Sequence, residues 1–334
     1  MAGKIDELSG VTAAIFHAEI IPASRPVVMR GLVSHWPVVA AARQSGEALR
    51  DYLMRFDRGR QLGAMAGPPR IKGRFFYNDD LSGFNFRRQS VKLDGAFEFL
   101  LRAGGEESPP SFAIQSAQVE NSLPGFEGEN VMPLLDPEIG PRVWIGNRAI
   151  VAAHQDPSEN IAACVAGKRR FTLFPPDQIA NLYLGQMDKT PAGTAISMVD
   201  FDAPDFAKYP RFADALETAL VADMEPGDAL YIPYMWWHQV RSLDSINMLV
   251  NYWWSPPKPD KGHPVDALLH AMLVIRDLPE QHRAAWREHF EHYVFGGLSA
   301  GDHLPAERRG ILGLLDEKLR GEMKEAVKRG LERE

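Results

Sequence analysis

Between Ser111 and Trp254 the chain is a succession of short strand candidates broken by turns, with no long helix among them. This run constrains the fold more than any other feature. Its segments are SFAIQSA, RVWIGN, IVAAHQD, NIAACVAG, KRRFTLFPP, ALYIPYMWW, HQVRSL and NMLVNYWW. Strands this short, without helical crossovers, point to an antiparallel sandwich or barrel. The stretch from Pro204 to Ala222 interrupts them and carries the helical run RFADALETAL, so an insertion is expected over residues 185–222.

The flanks read differently. RPVVMRGLVSHWPVV offers a β-branched strand, a turn at Gly31 and then Trp36-Pro37, and GEALRDYLMRF has helical apolar spacing. GRFFYNDDLSGFNFRR places aromatics around an Asn-Asp turn and Gly83, which predicts a hairpin. Those aromatics suit a core or the floor of a substrate groove. After PPKPDKGHP, from Pro256 to Pro264, the apolar period becomes that of a helix. Val265, Leu268, Leu269, Met272 and Leu273 form one stripe, and Leu315, Leu319, Met323, Val327 and Leu331 form another. The expected organisation is an N-terminal α/β extension over residues 1–110, a β-barrel core over 111–256 and a C-terminal helical region over 257–334. The final stripe either packs on its own barrel or builds a homodimer.

A formal charge of −7 provides no overall basic field for nucleic acid or an anionic membrane, although a local basic patch stays open. Nucleic acid is therefore not an expected partner. The single cysteine, Cys164, has no partner for an internal disulfide and reads as a small buried hydrophobe. The opening MAGKIDELSG lacks the pattern of a signal peptide, and no apolar stretch is long enough to span a bilayer. A cytoplasmic setting is the expectation.

Of the ten histidines, six follow the change of pattern, in charged helical or linker sequence that suits solvated imidazoles. His289 and His292 could share a helix face, but no third ligand lies nearby. Only His154 and His238 stand in apolar, strand-like surroundings. Side chains alternate across a strand, so His154 and Asp156 are expected on one face. Two imidazoles and one carboxylate on one side of a metal leave the other side open, the arrangement of non-haem Fe(II) oxygenases. A His-x-Asp tripeptide alone also describes a structural histidine bonded to an aspartate. The second half strengthens the metal reading: Pro226-Gly227-Asp228 turns the chain, a short strand runs to Pro233, and His238 follows two tryptophans.

Together these residues resemble the cupin-like branch of the Jumonji-C family of Fe(II)- and 2-oxoglutarate-dependent oxygenases, which includes the asparaginyl hydroxylase acting on hypoxia-inducible factor. The resemblance runs from RPVVMRGLVSHWP through RVWIGN and HQDPSENIAACVAGKRRFTLFPPDQIANLYLG to GDALYIPYMWWHQVRSL and VNYWW. It implies a double-stranded β-helix, the jelly-roll or cupin barrel, in a mainly β chain with added helices. It also implies iron held by His154, Asp156 and His238, and 2-oxoglutarate as co-substrate.

The far carboxylate of 2-oxoglutarate needs a cation, and the family position falls on Arg169, where lysine is more usual. Arginine serves through its two-point fork. Strand parity puts Arg169, Phe171 and Leu173 on one face, the latter two as an apolar wall, while Lys168 is an alternative that requires a bulge. Asn160 and Asn251 match positions whose amides line the pocket. The chain departs from the family at Val151, where a hydroxyl side chain is common, and in SFAIQSA, which lacks the family's tyrosine.

The activity implied is hydroxylation of a peptide or protein side chain, or of a small molecule, with release of succinate and CO2. Two other classes stay open. One is a metal-binding cupin enzyme that does not use 2-oxoglutarate, and the other is a non-catalytic peptide- or ligand-binding barrel.

Overall fold

The computed structural model describes residues 3–255 and 262–332. The chain divides into two compact units, Met1–Ser255 and Pro256–Glu334. Most of the linker expected at Pro256–Pro264 lies outside the described residues.

Fifteen strands form among the described residues. In chain order they are β1 Gly3–Lys4, β2 Asp6–Ser9, β3 Val27–Arg30, β4 Leu62–Gly67 and β5 Arg74–Phe75, then β6 Arg87–Val91, β7 Ser111–Gln118, β8 Arg142–Gly146, β9 Ile150–His154 and β10 Glu159–Ala166. The last five are β11 Arg169–Phe174, β12 Leu220–Met224, β13 Ala229–Ile232, β14 Trp237–Ser242 and β15 Asn247–Trp254. They build a six-stranded sheet, β1-β12-β11-β14-β9-β5, and a nine-stranded sheet, β2-β3-β13-β10-β15-β8-β7-β4-β6.

Four strands of each sheet, β12-β11-β14-β9 and β13-β10-β15-β8, pair antiparallel throughout. Facing one another, they form the expected double-stranded β-helix. The period-2 pattern explains its two faces. Ala162, Cys164, Phe171, Leu173, Leu230, Ile232, Val240 and Leu249 fill the space between the sheets. The alternate residues Ile161, Ala163, Val165, Tyr231, Val250 and Tyr252 point outward and pack with Val39, Leu49, Leu53 and Phe97 from the N-terminal helices. Each such fully buried large side chain contributes roughly 1.5–3 kcal/mol, which holds the helices on the sheet and the sheet in one register.

Several elements differ from the sequence reading. ALYIPYMWW is not continuous: β13 ends at Ile232, and β14 begins at Trp237 after a turn in which Met235 takes φ +65°. The helix of RFADALETAL stops at Thr218, and Leu220–Met224 continues as a barrel strand paired with β11. The Tyr77–Phe84 bridge closes the aromatic turn expected near Asn78 and Gly83. The strand before it, β5, pairs with β9 in parallel rather than with β6. Strands from the first 110 residues thus extend both sheets.

In the C-terminal unit, the first apolar stripe lies on the helix Pro264–Ile275 and the second on Glu317–Leu331, with Leu315 just ahead of it. Asp316 caps the latter by accepting from the Leu319 amide at 2.8 Å. A third helix, Glu280–Phe290, stands between them in the chain. No helix among the described residues is long and apolar enough to cross a membrane.

Candidate metal centre and co-substrate pocket

His154 closes β9 and His238 is the second residue of β14, and their Cα atoms are paired in the ladder between those strands. The imidazole centroids are 4.3 Å apart. Asp156 is not in the strand, because β9 ends at His154. The turn at Met235 holds it instead, the Met235 amide donating to the Asp156 carbonyl at 3.1 Å. The carboxylate still reaches the histidines. One ligand atom from each of the three residues lies within 4.8 Å of the others, the one such cluster among the described residues.

Second contacts fix how each ligand is presented. The Nδ1 of His154 is 2.9 Å from the Ala152 carbonyl, and that of His238 is 3.0 Å from the Trp236 carbonyl. A carbonyl can only accept, so Nδ1 donates on both rings, and Nε2 is the nitrogen each ring has left for a metal. His238 Nε2 and Asp156 Oδ2 are 3.5 Å apart, and the buried Oδ2 has no hydrogen-bond partner. Burial, reinforced by the neighbouring His154 ring, holds His238 well below the ordinary imidazole range and keeps it neutral. Two imidazole nitrogens and an orphaned buried carboxylate oxygen fit a divalent metal.

A cavity of about 360 Å³ opens beside the triad and runs between the sheets. Phe171, Val151 and Val240 give it an apolar wall, while Leu173 is fully buried in the packing and does not line it. Arg169 lies in the same cavity, 6% exposed. Its side chain makes no hydrogen bond or ion pair with the described residues, and Nε is an unsatisfied buried donor. Burial pushes its pKa down to about 10, which still leaves it charged at neutral pH. Burying an uncompensated guanidinium costs several kcal/mol, so a site that retains one is built for an anion.

Lys168 points to the opposite face, outside the cavity, where its Nζ pairs with Glu225 at 2.9 Å. Gly167, at φ +69°, makes the turn that sets this parity, and a Cβ there would stand 2.3 Å from Asn247 Oδ1. Asn160 and Asn251 both line the cavity, with Asn251 Nδ2 donating to Asn160 Oδ1 at 2.8 Å. Asn251 Oδ1 has no partner.

Three further residues were not singled out from the sequence as site residues. Ser242 faces the cavity next to Arg169, and its parity with His238 and Val240 was the signal for it. Gln115 enters from the early strand β7. Trp144 lines the wall with Trp253, their rings 6.0 Å apart and both indole nitrogens buried without partners. Trp236 packs inside the barrel, whereas Trp237 packs in a separate cluster with Phe174 and Phe212.

A family model described as a cupin-like domain matches residues 12–260. The chain belongs to the cupin-like domain family. This cupin-like protein is 25% identical over 252 residues to the lysine-specific demethylase 8 of Xenopus tropicalis, a match covering 72% of this chain and 50% of that protein. It is 26% identical over 327 residues to the human tRNA wybutosine-synthesizing protein 5, covering 85% of this chain and 93% of the relative. The JmjC domain-containing protein F of Dictyostelium discoideum is 35% identical over 128 residues, 34% of this chain and 27% of that one. The cupin-like protein therefore spans about half the length of the demethylase 8 it matches. The cupin-like match and the His154, Asp156 and His238 cluster are together what a metal-holding cupin barrel requires.

Proposed function

We propose that this protein is an Fe(II)- and 2-oxoglutarate-dependent oxygenase that hydroxylates a C–H bond of a peptide or protein side chain, or of a small molecule. Fe(II), when bound with 2-oxoglutarate, supplies the coupling of O2 reduction and oxidative decarboxylation, with release of succinate and CO2, to oxidation of the substrate. The observation that carries this reading is Arg169, a buried and unpaired cation in the cavity that also holds the triad.

The chain's own residues have distinct parts. His154 and His238 offer Nε2, and Asp156 offers a carboxylate that offsets part of the metal's charge. Arg169 takes the far carboxylate of the co-substrate through its fork. Asn160 and Asn251 hold the nearer polar end by side-chain amides, and Phe171 with Val151 keeps water out. No side-chain general base is needed for this reaction class. The relatives' names speak of lysine demethylation and of tRNA wybutosine synthesis in those proteins, and a peptide or protein side chain is the substrate class proposed for this chain. A single buried thiol and a ferrous site suit a reducing cytoplasm.

The test is anaerobic titration of Fe(II)-loaded protein with 2-oxoglutarate, watched for the visible charge-transfer band of the chelate. The band is expected in the wild type and absent from His154→Ala. Iron binding without the band would turn the reading to a cupin enzyme of another chemistry. A protein that binds neither would be a recognition barrel.

A further inference from the structure

A segment that reaches the cavity through Arg88 has a charge opposite to that of the molecule. From Arg55 to Lys92 the chain holds nine cationic and three acidic residues, a net of +6 within a total of −7. Two of the nine are neutralised, Arg55 by Glu129 and Arg74 by Asp200. The other seven are exposed and form no ion pair with the described residues. Arg58 and Arg60 precede β4, Arg70 and Lys72 follow it, Arg87 and Arg88 open β6, and Lys92 follows β6. Other strand cations in this unit do face acids: Arg30 faces Glu7 and Asp228, and Arg170 faces Asp223.

These cations surround an open strand edge. β6 is the outermost strand of the nine-stranded sheet, with β4 as its one strand neighbour among the described residues. Residues 87–90 are exposed. Charge on an edge strand can serve simply to repel other edges. That reading leaves the cations of the flanking loops without a cause. It also leaves Arg88 unexplained, since this residue lines the cavity of the triad and donates to the Pro191 carbonyl on the cavity wall at 3.2 Å.

We propose that β6 and its flanking arginines dock an acidic, extended peptide as an added strand and so deliver one of its side chains to the triad. This rests on the oxygenase reading and names the substrate class of the same site. A five-residue strand is about 17 Å long, so cations at both ends of β6 match acidic residues at both ends of an added segment. Polynucleotide fits less well. Its phosphate backbone cannot complete a strand ladder, and its length carries it beyond the roughly 8 Å over which the local positive field outweighs the acidic remainder.

The experiment uses the full, metal-free chain and fluorescence anisotropy with three labelled probes: a ten-residue Glu-Ala repeat, its Lys-Ala counterpart and a ten-nucleotide oligouridylate. The Glu-Ala peptide is expected to bind and to weaken about tenfold or more between 50 mM and 500 mM salt. The pair Arg87→Glu, Arg88→Glu should lose at least about tenfold in affinity, the milder pair Arg87→Gln, Arg88→Gln an intermediate amount, and Arg25→Glu nothing. Hydrogen exchange should show new protection over residues 87–91 on binding. Tighter binding of the oligouridylate, equal binding of the Lys-Ala peptide, or binding without protection of β6 would each overturn the proposal. Because no metal is involved, failure of the chelate band would sink the oxygenase reading and leave this result standing.

Discussion

Arg169 and Ser242 are cross-strand partners, their Cα atoms paired between β11 and β14, and both side chains line the cavity without a hydrogen bond to any described residue. Directly opposed residues on one face of an antiparallel pair carry Cβ atoms about 4.5–5.5 Å apart. A guanidinium and a hydroxyl so placed are what an anion-binding end to the pocket needs. Val151, where the resemblance implies a hydroxyl, is cross-strand from Val240 and adds none. Ser242 supplies from β14 what β9 lacks.

Co-substrate affinity should therefore respond to this pair. Arg169→Gln is expected to weaken 2-oxoglutarate about 100-fold, close to 3 kcal/mol, because it leaves a buried carboxylate unpaired. Arg169→Lys should stay within about tenfold of wild type, and Ser242→Ala should lose about tenfold. Anaerobic calorimetry on metal-loaded protein checks all three, and unchanged affinity in Arg169→Gln would remove this residue from the pocket.

The same arginine should cost stability. Replacing an uncompensated buried charge by an apolar side chain of similar length is often stabilising by about 1–4 kcal/mol. Arg169→Met should thus raise the melting midpoint of the metal-free unit by a few degrees, at roughly 2–4 °C per kcal/mol, while abolishing 2-oxoglutarate binding. A lower midpoint would mean that Arg169 has a structural partner in solution.

Much of the barrel and the triad were legible because each depends on local pattern. Alternation put Arg169 on the face of Phe171 and Leu173 and Lys168 on the other, in agreement with the position that the family resemblance implied. What stayed hidden depends on context. Leu220–Met224 continues a helical apolar pattern, and only pairing with β11 makes it a strand. Asp156 looked like a strand residue, whereas the Met235 turn positions it. The basic segment around β4 and β6 was masked by a net charge summed over the whole chain.

Cys164 provides a pH-dependent readout of folding. Burial pushes its thiol up to about 12 from an ordinary value of 9.0. The folded-state value lies above the unfolded one, so its contribution is intact below about pH 9 and is lost as pH rises toward 12, by up to about 1.4 kcal/mol per unit. Urea unfolding at pH 8 and pH 10 should show a steeper alkaline loss in wild type than in Cys164→Ala. Iodoacetamide at pH 8.5 should leave the native thiol unmodified, and prompt labelling would contradict this burial.

The C-terminal helices are expected to join two copies of the chain. On the helix Pro264–Ile275, Leu269 and Leu273 lie four residues apart and are 50% and 72% exposed, so their own unit does not cover them. Light scattering should give twice the 37.3 kDa chain mass. Leu269→Glu with Leu273→Glu should return it to one chain without altering the melting of the barrel. A monomeric wild type would instead leave this stripe to pack within its own chain.

Asp156 separates a metal role from a structural one. Its Oδ2 is buried and unbonded, so in metal-free protein the residue contributes no hydrogen bond through that oxygen, and Asp156→Asn should melt at or above the wild-type temperature. Adding divalent metal at 100 times its dissociation constant stabilises a folded site by about 2.7 kcal/mol. Wild type should show that upward shift with Fe(II) under argon, or with Mn(II) as a redox-stable substitute, and Asp156→Asn should show little of it. His154→Ala should behave in the same way if Nε2 is a ligand. A variant that melts low without metal, yet still gains the full shift when metal is added, would show that the carboxylate supports the fold and that the ion sits elsewhere.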